Sequence, residues 1–243
     1  MMQPTGCTTI RLNQSNNIGR FILGLTFTTN SCMIQLLYYK ISERLSKESF
    51  DLLLQQLPGA LQQKIVKYRN WQDAERSLFG NILLMKGLHL LDRKEYILED
   101  LKYTEFNKPY FDETINFNIS HSGDYIICAV SEINQLGVDV EEIKEISMED
   151  FNGLFAAIEW DEVLNGENKL HAFYSLWTKK EAFLKAIGCG LSQPLNEVVI
   201  ANNGIVWKNK QWFLHEVKLD EYHIAYICCD VNNPTIHIQE IHL

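Results

Sequence analysis

Gly137-Val138-Asp139-Val140-Glu141 is the stretch from which the rest of this chain is read. Valines alternate with acids, a period of two that predicts a strand with one apolar and one wet face. Side chains two apart on a strand point the same way, so Asp139 and Glu141 project together, roughly 6 to 7 Å apart along it. Carboxylates that close repel each other unless a proton or a cation lies between them. An all-oxygen pair suits Mg²⁺, which takes one or two carboxylates and leaves positions for water and phosphate. A solvated acidic edge is the plainer reading of the same five residues.

Just upstream, Phe117-Asn118-Ile119-Ser120-His121-Ser122-Gly123-Asp124 reads as a strand ending in a turn, and Tyr125 to Val130 as an apolar strand. Adjacent Ser and His on an extended segment point to opposite sides, and no G-x-S-x-G elbow is present, which argues against a serine-hydrolase triad. A turn offering hydroxyl, imidazole and backbone N–H groups to a phosphate fits these residues better. Downstream, Ser147 to Val163 reads as an acid-rich helix broken by Asn165-Gly166. Phe173 to Ile187 is a long helix closed by Gly188 as a C-terminal cap. Glu181 and Lys185 lie four apart on it, sharing a face with Trp177; an ordinary surface pair has the same spacing. The remaining chain reads as strands at 197–200, 204–207, 211–217, 224–228 and 236–241, grouped into an α+β sheet rather than a βαβ series.

Toward the N-terminus, helical patterns run from Ser42 to Leu57, through Lys64, Lys67 and Arg69, and from Trp71 past Arg76 to Met85, with Pro58-Gly59 as a break. Residues 1–32 are rich in Thr, Asn and Gln and hold no acid. They read as a leader outside the fold, with a targeting peptide as the alternative, and Met33 opens the first strand. The 243 residues carry a formal net charge of -9 with a hydrophobic share of 46%. That balance supports a sizeable core and argues against a general nucleic-acid binder. No apolar run approaches a membrane span. The six cysteines lack C-x-x-C spacing, so free thiols in a reducing compartment, the cytoplasm, are expected.

Taken in order, Asn107-Lys108-Pro109, Phe117 to Ser122, Gly137 to Glu141, and Trp177-Thr178-Lys179-Lys180-Glu181-Ala182-Phe183-Leu184-Lys185 with Gly188-Cys189-Gly190-Leu191 resemble the surfactin-type 4'-phosphopantetheinyl transferases. The resemblance runs from Lys64 to about Pro194. It implies two similar α+β halves related by a pseudo-twofold, here residues 33–136 and 137–243, with the active site in the cleft between them. It also implies transfer of phosphopantetheine from coenzyme A to a serine of an apo acyl or peptidyl carrier protein, releasing 3',5'-ADP. By the same resemblance Asp139, Glu141 and Glu181 would hold Mg²⁺ on the pyrophosphate. Lys185 and Ser120 would contact the phosphates. The attacking serine must lose a proton, and a carboxylate near the metal, Glu181 directly or through water, can take it. His121 and Arg76 would meet the 3'-phosphate with Lys64 or Lys67 helping, and Lys108 and Pro109 would border the adenine. A coenzyme A pocket of Lys, Arg and His is compatible with an acidic chain. Two other readings stay open: a different Mg²⁺-dependent phosphoryl-transfer or hydrolytic enzyme, and a non-catalytic coenzyme A or carrier-protein binding module.

Overall fold

The computed structural model describes residues 33–133, 135–201 and 204–242. The leader expected at 1–32 lies outside them. Strand β1 (Met33–Lys40) is followed by helices α1 (Lys47–Leu54), α2 (Gly59–Ile65) and α3 (Trp71–Leu90). Ser46 caps α1 by accepting the Ser49 N–H, and Pro58 starts α2, as its fixed φ allows. A small hairpin, β2 (Lys102–Tyr103) and β3 (Pro109–Tyr110), precedes β4 (Asn116–Ser122), β5 (Tyr125–Ser131) and β6 (Leu136–Glu142). Then come α4 (Ala157–Asn165), α5 (Lys169–Ile187), β7 (Ile200–Ala201), β8 (Gly204–Trp207), β9 (Lys210–Val217), β10 (His223–Cys229) and β11 (Thr235–Glu240). The α+β class expected from the sequence is the class observed.

Two sheets carry the fold, in the orders β11-β1-β5-β4 and β6-β10-β9-β8-β7. Alternation along the strands gives each sheet two apolar faces. Ile126, Cys128 and Val130 of β5 pack under α3 with Leu78, Ile82 and Leu83. Ala182, Phe183 and Ala186 of α5 pack with Ile224, Tyr226 and Cys228 of β10. The opposite faces meet each other: Ile34, Leu36, Ile127 and Ala129 from the first sheet share a core with Val138, Val140, Ala225 and Ile227 from the second. Each sheet therefore has a helix on its outside, and the two are joined by a shared apolar layer.

Three local expectations differ from what is observed. The strand read at 236–241 does not join the other C-terminal strands; β11 pairs in parallel with β1, Ile34 opposite Ile236. β10 is already flanked by β6 and β9, whereas β1 offers a free edge. The helix read across 147–163 is a short 3₁₀ turn at Met148–Phe151 and then α4, because Gly153 between them adopts a left-handed φ of 80°. The strand read at 197–200 shortens to β7, because Pro194 opens a 3₁₀ turn over Leu195–Glu197.

Candidate active site

The site is built where β4 runs alongside β6. Among the described residues no main-chain ladder joins these strands. β6 is an edge strand, and the outward N–H groups of an edge must find acceptors. β4 supplies them from side chains on one face. Asn118 Oδ1 accepts the Val138 N–H at 2.9 Å, Ser120 Oγ that of Val140 at 3.4 Å, and Ser122 Oγ that of Glu142 at 3.1 Å. Each serine still has its own hydroxyl proton to give. Ser120 donates to Asp139 Oδ1 at 2.9 Å and Ser122 to Glu141 Oε2 at 2.8 Å.

The acidic face of β6 is not wet, as its alternation suggested. Helix α5 covers it, and Gly137 makes that possible. A Cβ at residue 137 would stand 2.1 Å from the Ala182 carbonyl oxygen and 2.3 Å from the Ala186 nitrogen. With no side chain there, α5 lies directly on the strand and brings its next turn to the acids. Lys185 Nζ donates to Asp139 Oδ1 at 2.5 Å and to Ser120 Oγ at 2.8 Å. Trp177 Nε1 donates to Glu141 Oε1 at 3.2 Å.

Asp139 is only 2% exposed. Burial raises its pKa against the opposing pull of Lys185 and Ser120. Glu141 is raised by burial and by the Asp139 charge, with Ser122 and Trp177 pulling the other way. Glu181 is pushed up to about 7, by burial first and then by the charge of Asp139, with Lys185 opposing and Glu141 adding to the rise. Asp139 Oδ2 and Glu181 Oε1 are buried without a hydrogen-bond partner. Among the described residues no three His, Cys, Asp or Glu side chains already enclose an ion-sized position. The acids are thus within one another's field without having closed on a single point.

His121 lies on the other face of β4, exposed, with its pKa lowered by desolvation and by the Arg76 and Lys185 cations. Arg76, from α3, grips the turn beyond it. Its Nε and Nη2 donate to the Gly123 carbonyl oxygen at 3.2 and 2.5 Å, and its Nη1 donates to Asp73 at 3.1 Å. Asp139, Glu141, Glu181, Lys185 and Ser120 therefore form one cluster, with His121 and Arg76 at its flank. Lys108 is used differently. Its Nζ donates to the carbonyl oxygens of Lys185 at 2.7 Å and Ala186 at 3.0 Å, closing the last turn of α5. Burial holds its pKa down to about 8. Pro109, beside it, begins β3. Lys64 and Lys67 are exposed, and their side chains make no hydrogen bond or ion pair among the described residues, so no contact joins them to the cluster.

The sequence reading missed Asn118, Ser122 and Trp177 as parts of this arrangement. The signals were present: polar residues at every second position of β4, and Trp177 one helical turn before Glu181.

Residues 44–133 match the family described as 4'-phosphopantetheinyl transferase, N-terminal, and residues 135–227 the 4'-phosphopantetheinyl transferase superfamily. The 4'-phosphopantetheinyl transferase gsp of Aneurinibacillus migulanus is 35% identical over 175 residues, 70% of this chain and 73% of the relative. The 4'-phosphopantetheinyl transferase Sfp of Bacillus subtilis (strain 168) is 31% identical over 160 residues, 63% of this chain and 69% of the relative. An L-aminoadipate-semialdehyde dehydrogenase-phosphopantetheinyl transferase of Xenopus laevis is 29% identical over 207 residues, covering 70% and 68%.

Proposed function

This chain belongs to the 4'-phosphopantetheinyl transferase superfamily, and from that premise we propose that it moves 4'-phosphopantetheine from coenzyme A to a serine of an apo acyl or peptidyl carrier protein, with Mg²⁺. The observation that carries the reading is the pair of buried oxygens without partners, Asp139 Oδ2 and Glu181 Oε1, beside a lysine. Buried polar atoms are normally satisfied, and an unsatisfied pair of carboxylate oxygens is an address for a cation. The donor set fits: it is all oxygen, as Mg²⁺ prefers, and Asp139, Glu141 and Glu181 crowd like charges that a divalent ion relieves. These three acids would hold Mg²⁺, which when bound supplies charge neutralisation on the pyrophosphate.

The chain's own residues do the rest. Lys185, 27% exposed, can release Asp139 and turn its ammonium to the phosphate oxygens, with the Ser120 hydroxyl beside it. His121 and Arg76 receive the 3'-phosphate, with Lys64 or Lys67 reaching it from solvent, and Lys108 and Pro109 border the adenine. The carrier serine oxygen attacks the phosphorus that bears pantetheine, the bond from that phosphorus to the bridging oxygen breaks, and 3',5'-ADP leaves. Glu181, directly or through water, takes the serine proton. Catalysis on this scheme is positioning and electrostatic stabilisation. Among the described residues no helix is long and apolar enough to cross a membrane. Cys128, Cys189 and Cys228 are free thiols, the state that a reducing compartment such as the cytoplasm maintains.

Incubating an apo carrier protein with the chain, coenzyme A and Mg²⁺ tests this. Mass spectrometry should show the carrier gaining one phosphopantetheinyl group at a serine, with 3',5'-ADP in equal amount. Coenzyme A cleavage without carrier modification would return the hydrolytic alternative, and binding without either would return the non-catalytic module.

A further inference from the structure

Of the three acids, Glu141 is held by donors on both carboxylate oxygens. Ser122 Oγ donates to Oε2 at 2.8 Å and Trp177 Nε1 to Oε1 at 3.2 Å. The donors come from different elements, one from β4 of the first sheet and one from α5, which packs on the second. Neither is free to turn away. Ser122 Oγ is tied by the Glu142 N–H, so its proton has Glu141 as the acceptor in reach. The Trp177 indole is wedged among Phe151, Phe155 and Phe173, at centroid distances of 6.3, 6.5 and 6.1 Å.

We propose that Ser122 and Trp177 are positioning residues, a two-sided clamp that fixes the Glu141 carboxylate beside Asp139 so that its remaining lone pairs face the cation position. The inference rests on the reading of Asp139, Glu141 and Glu181 as the cation site. A carboxylate has about four lone-pair directions, so one hydrogen bond on each oxygen leaves both able to coordinate. The need for a clamp follows from like-charge repulsion. An unrestrained glutamate two residues from a buried aspartate would rotate toward solvent, and the site would have to recover that rotamer each time a cation entered. The seam between the sheets is thereby also a device for holding the site: the β4 residue that satisfies the edge of β6 at Glu142 aims the neighbouring acid.

The test is direct Mn²⁺ binding to the whole chain with coenzyme A present and no carrier, read from the loss of the free-ion signal in electron paramagnetic resonance. Trp177→Phe keeps the packed ring and removes the N–H. It should weaken Mn²⁺ binding by about tenfold or more, the range for partners that orient metal ligands, with the circular dichroism spectrum unchanged. Ser122→Ala removes the donor from the other side and carries the same expectation, so the inference does not hang on one core aromatic. In a Glu141→Ala background, Trp177→Phe should have no further effect on binding. Wild-type affinity in both single variants would overturn the clamp. So would an undiminished effect of Trp177→Phe without Glu141, since the indole would then act by another route. Asp139→Asn separates this from the underlying reading: if it abolishes Mn²⁺ binding while the clamp variants do not, only the clamp fails. If the unaltered chain takes up no Mn²⁺, both fail.

Discussion

Helix α5 carries two lysines that each reach an acid, and the two pairs do opposite things. Lys180 is 0% exposed and donates to Glu159 at 2.5 Å and to the Leu195 carbonyl oxygen at 2.8 Å. Glu159 is fully used: Oε1 accepts the Ile200 N–H at 2.9 Å, and Oε2 accepts that of Ala156 at 3.3 Å along with the lysine. This pair sews α4, α5 and the turn before β7 into one body. Lys185 is closer to solvent than Lys180, Asp139 is as deeply buried as Glu159, and Asp139 Oδ2 has no partner. Both are lysine–carboxylate pairs at the same separation, so distance does not distinguish scaffold from site. What distinguishes them is the valence left over. A closed network has nothing to offer a ligand, and an open one is unstable until it receives one.

The largest effect should come from breaking the closed pair. Lys180→Met leaves Glu159 buried and uncompensated and should cost about 3 to 5 kcal/mol of stability, read as a lowered urea midpoint. Transfer activity should fall only in step with the unfolded fraction. Adding Glu159→Leu should recover most of the loss, and a double variant no better than the single would show that the pair supports more than α4.

Asp139→Asn at the open pair should invert that pattern. Transfer should drop on the order of 10²- to 10³-fold, the scale for removing a preorganised charged contact at the reacting centre. The midpoint of unfolding without cation should hardly move, because the change relieves repulsion as well as removing a partner. Turnover near wild type would put this pair with its closed counterpart as scaffold.

A smaller effect should appear with pH. The folded Glu181 holds its proton up to about 7, while the unfolded side chain releases it at its ordinary, lower value. The folded state therefore binds the proton more tightly, and its stabilising contribution is lost as pH rises through that window. Without divalent ions the melting temperature should decline from pH 5 to pH 7. Glu181→Gln should flatten the decline, and added Mg²⁺ should oppose it more strongly at the upper end. A flat profile in the unaltered chain would mean that the acids are less crowded than their placement suggests.

The smallest effect belongs to an exposed pair that is part of neither arrangement. Arg93 donates to Glu132 and Glu95 at the surface, where solvent screens the charges, and Arg93→Ala should leave both the urea midpoint and transfer unchanged. A larger change would show that α5 is not where the two kinds of pairing are sorted.

Much of this was legible in the chain itself. The alternation at 137–141 marked a strand with both acids on one face, the spacing of Glu181 and Lys185 marked one face of a helix, and Gly188 marked its end, where it takes φ 71°. Order and spacing of the motifs then matched the family. Less legible were the consequences of burial. Lys108 and Lys180 look like any surface lysine in sequence, yet one closes the end of α5 and the other is sealed inside. Ser122 and Trp177 sit in plain view in their motifs, but their shared partner is 19 residues from one and 36 from the other.

The sequence alone determined most of the local geometry and chemistry: where the strands and helices run outside 147–163 and 197–200, which residues share a face, and that the carboxylates come with a lysine. Those follow from backbone periodicity and side-chain type, which act over a few residues. Only the tertiary structure decided what covers each face. It set α5 on the acids through Gly137, turned Asn118, Ser120 and Ser122 into a substitute for strand pairing, and took β11 back to β1 across some two hundred residues. Those choices depend on which edges and faces remain free once the rest has packed, and no local pattern encodes that.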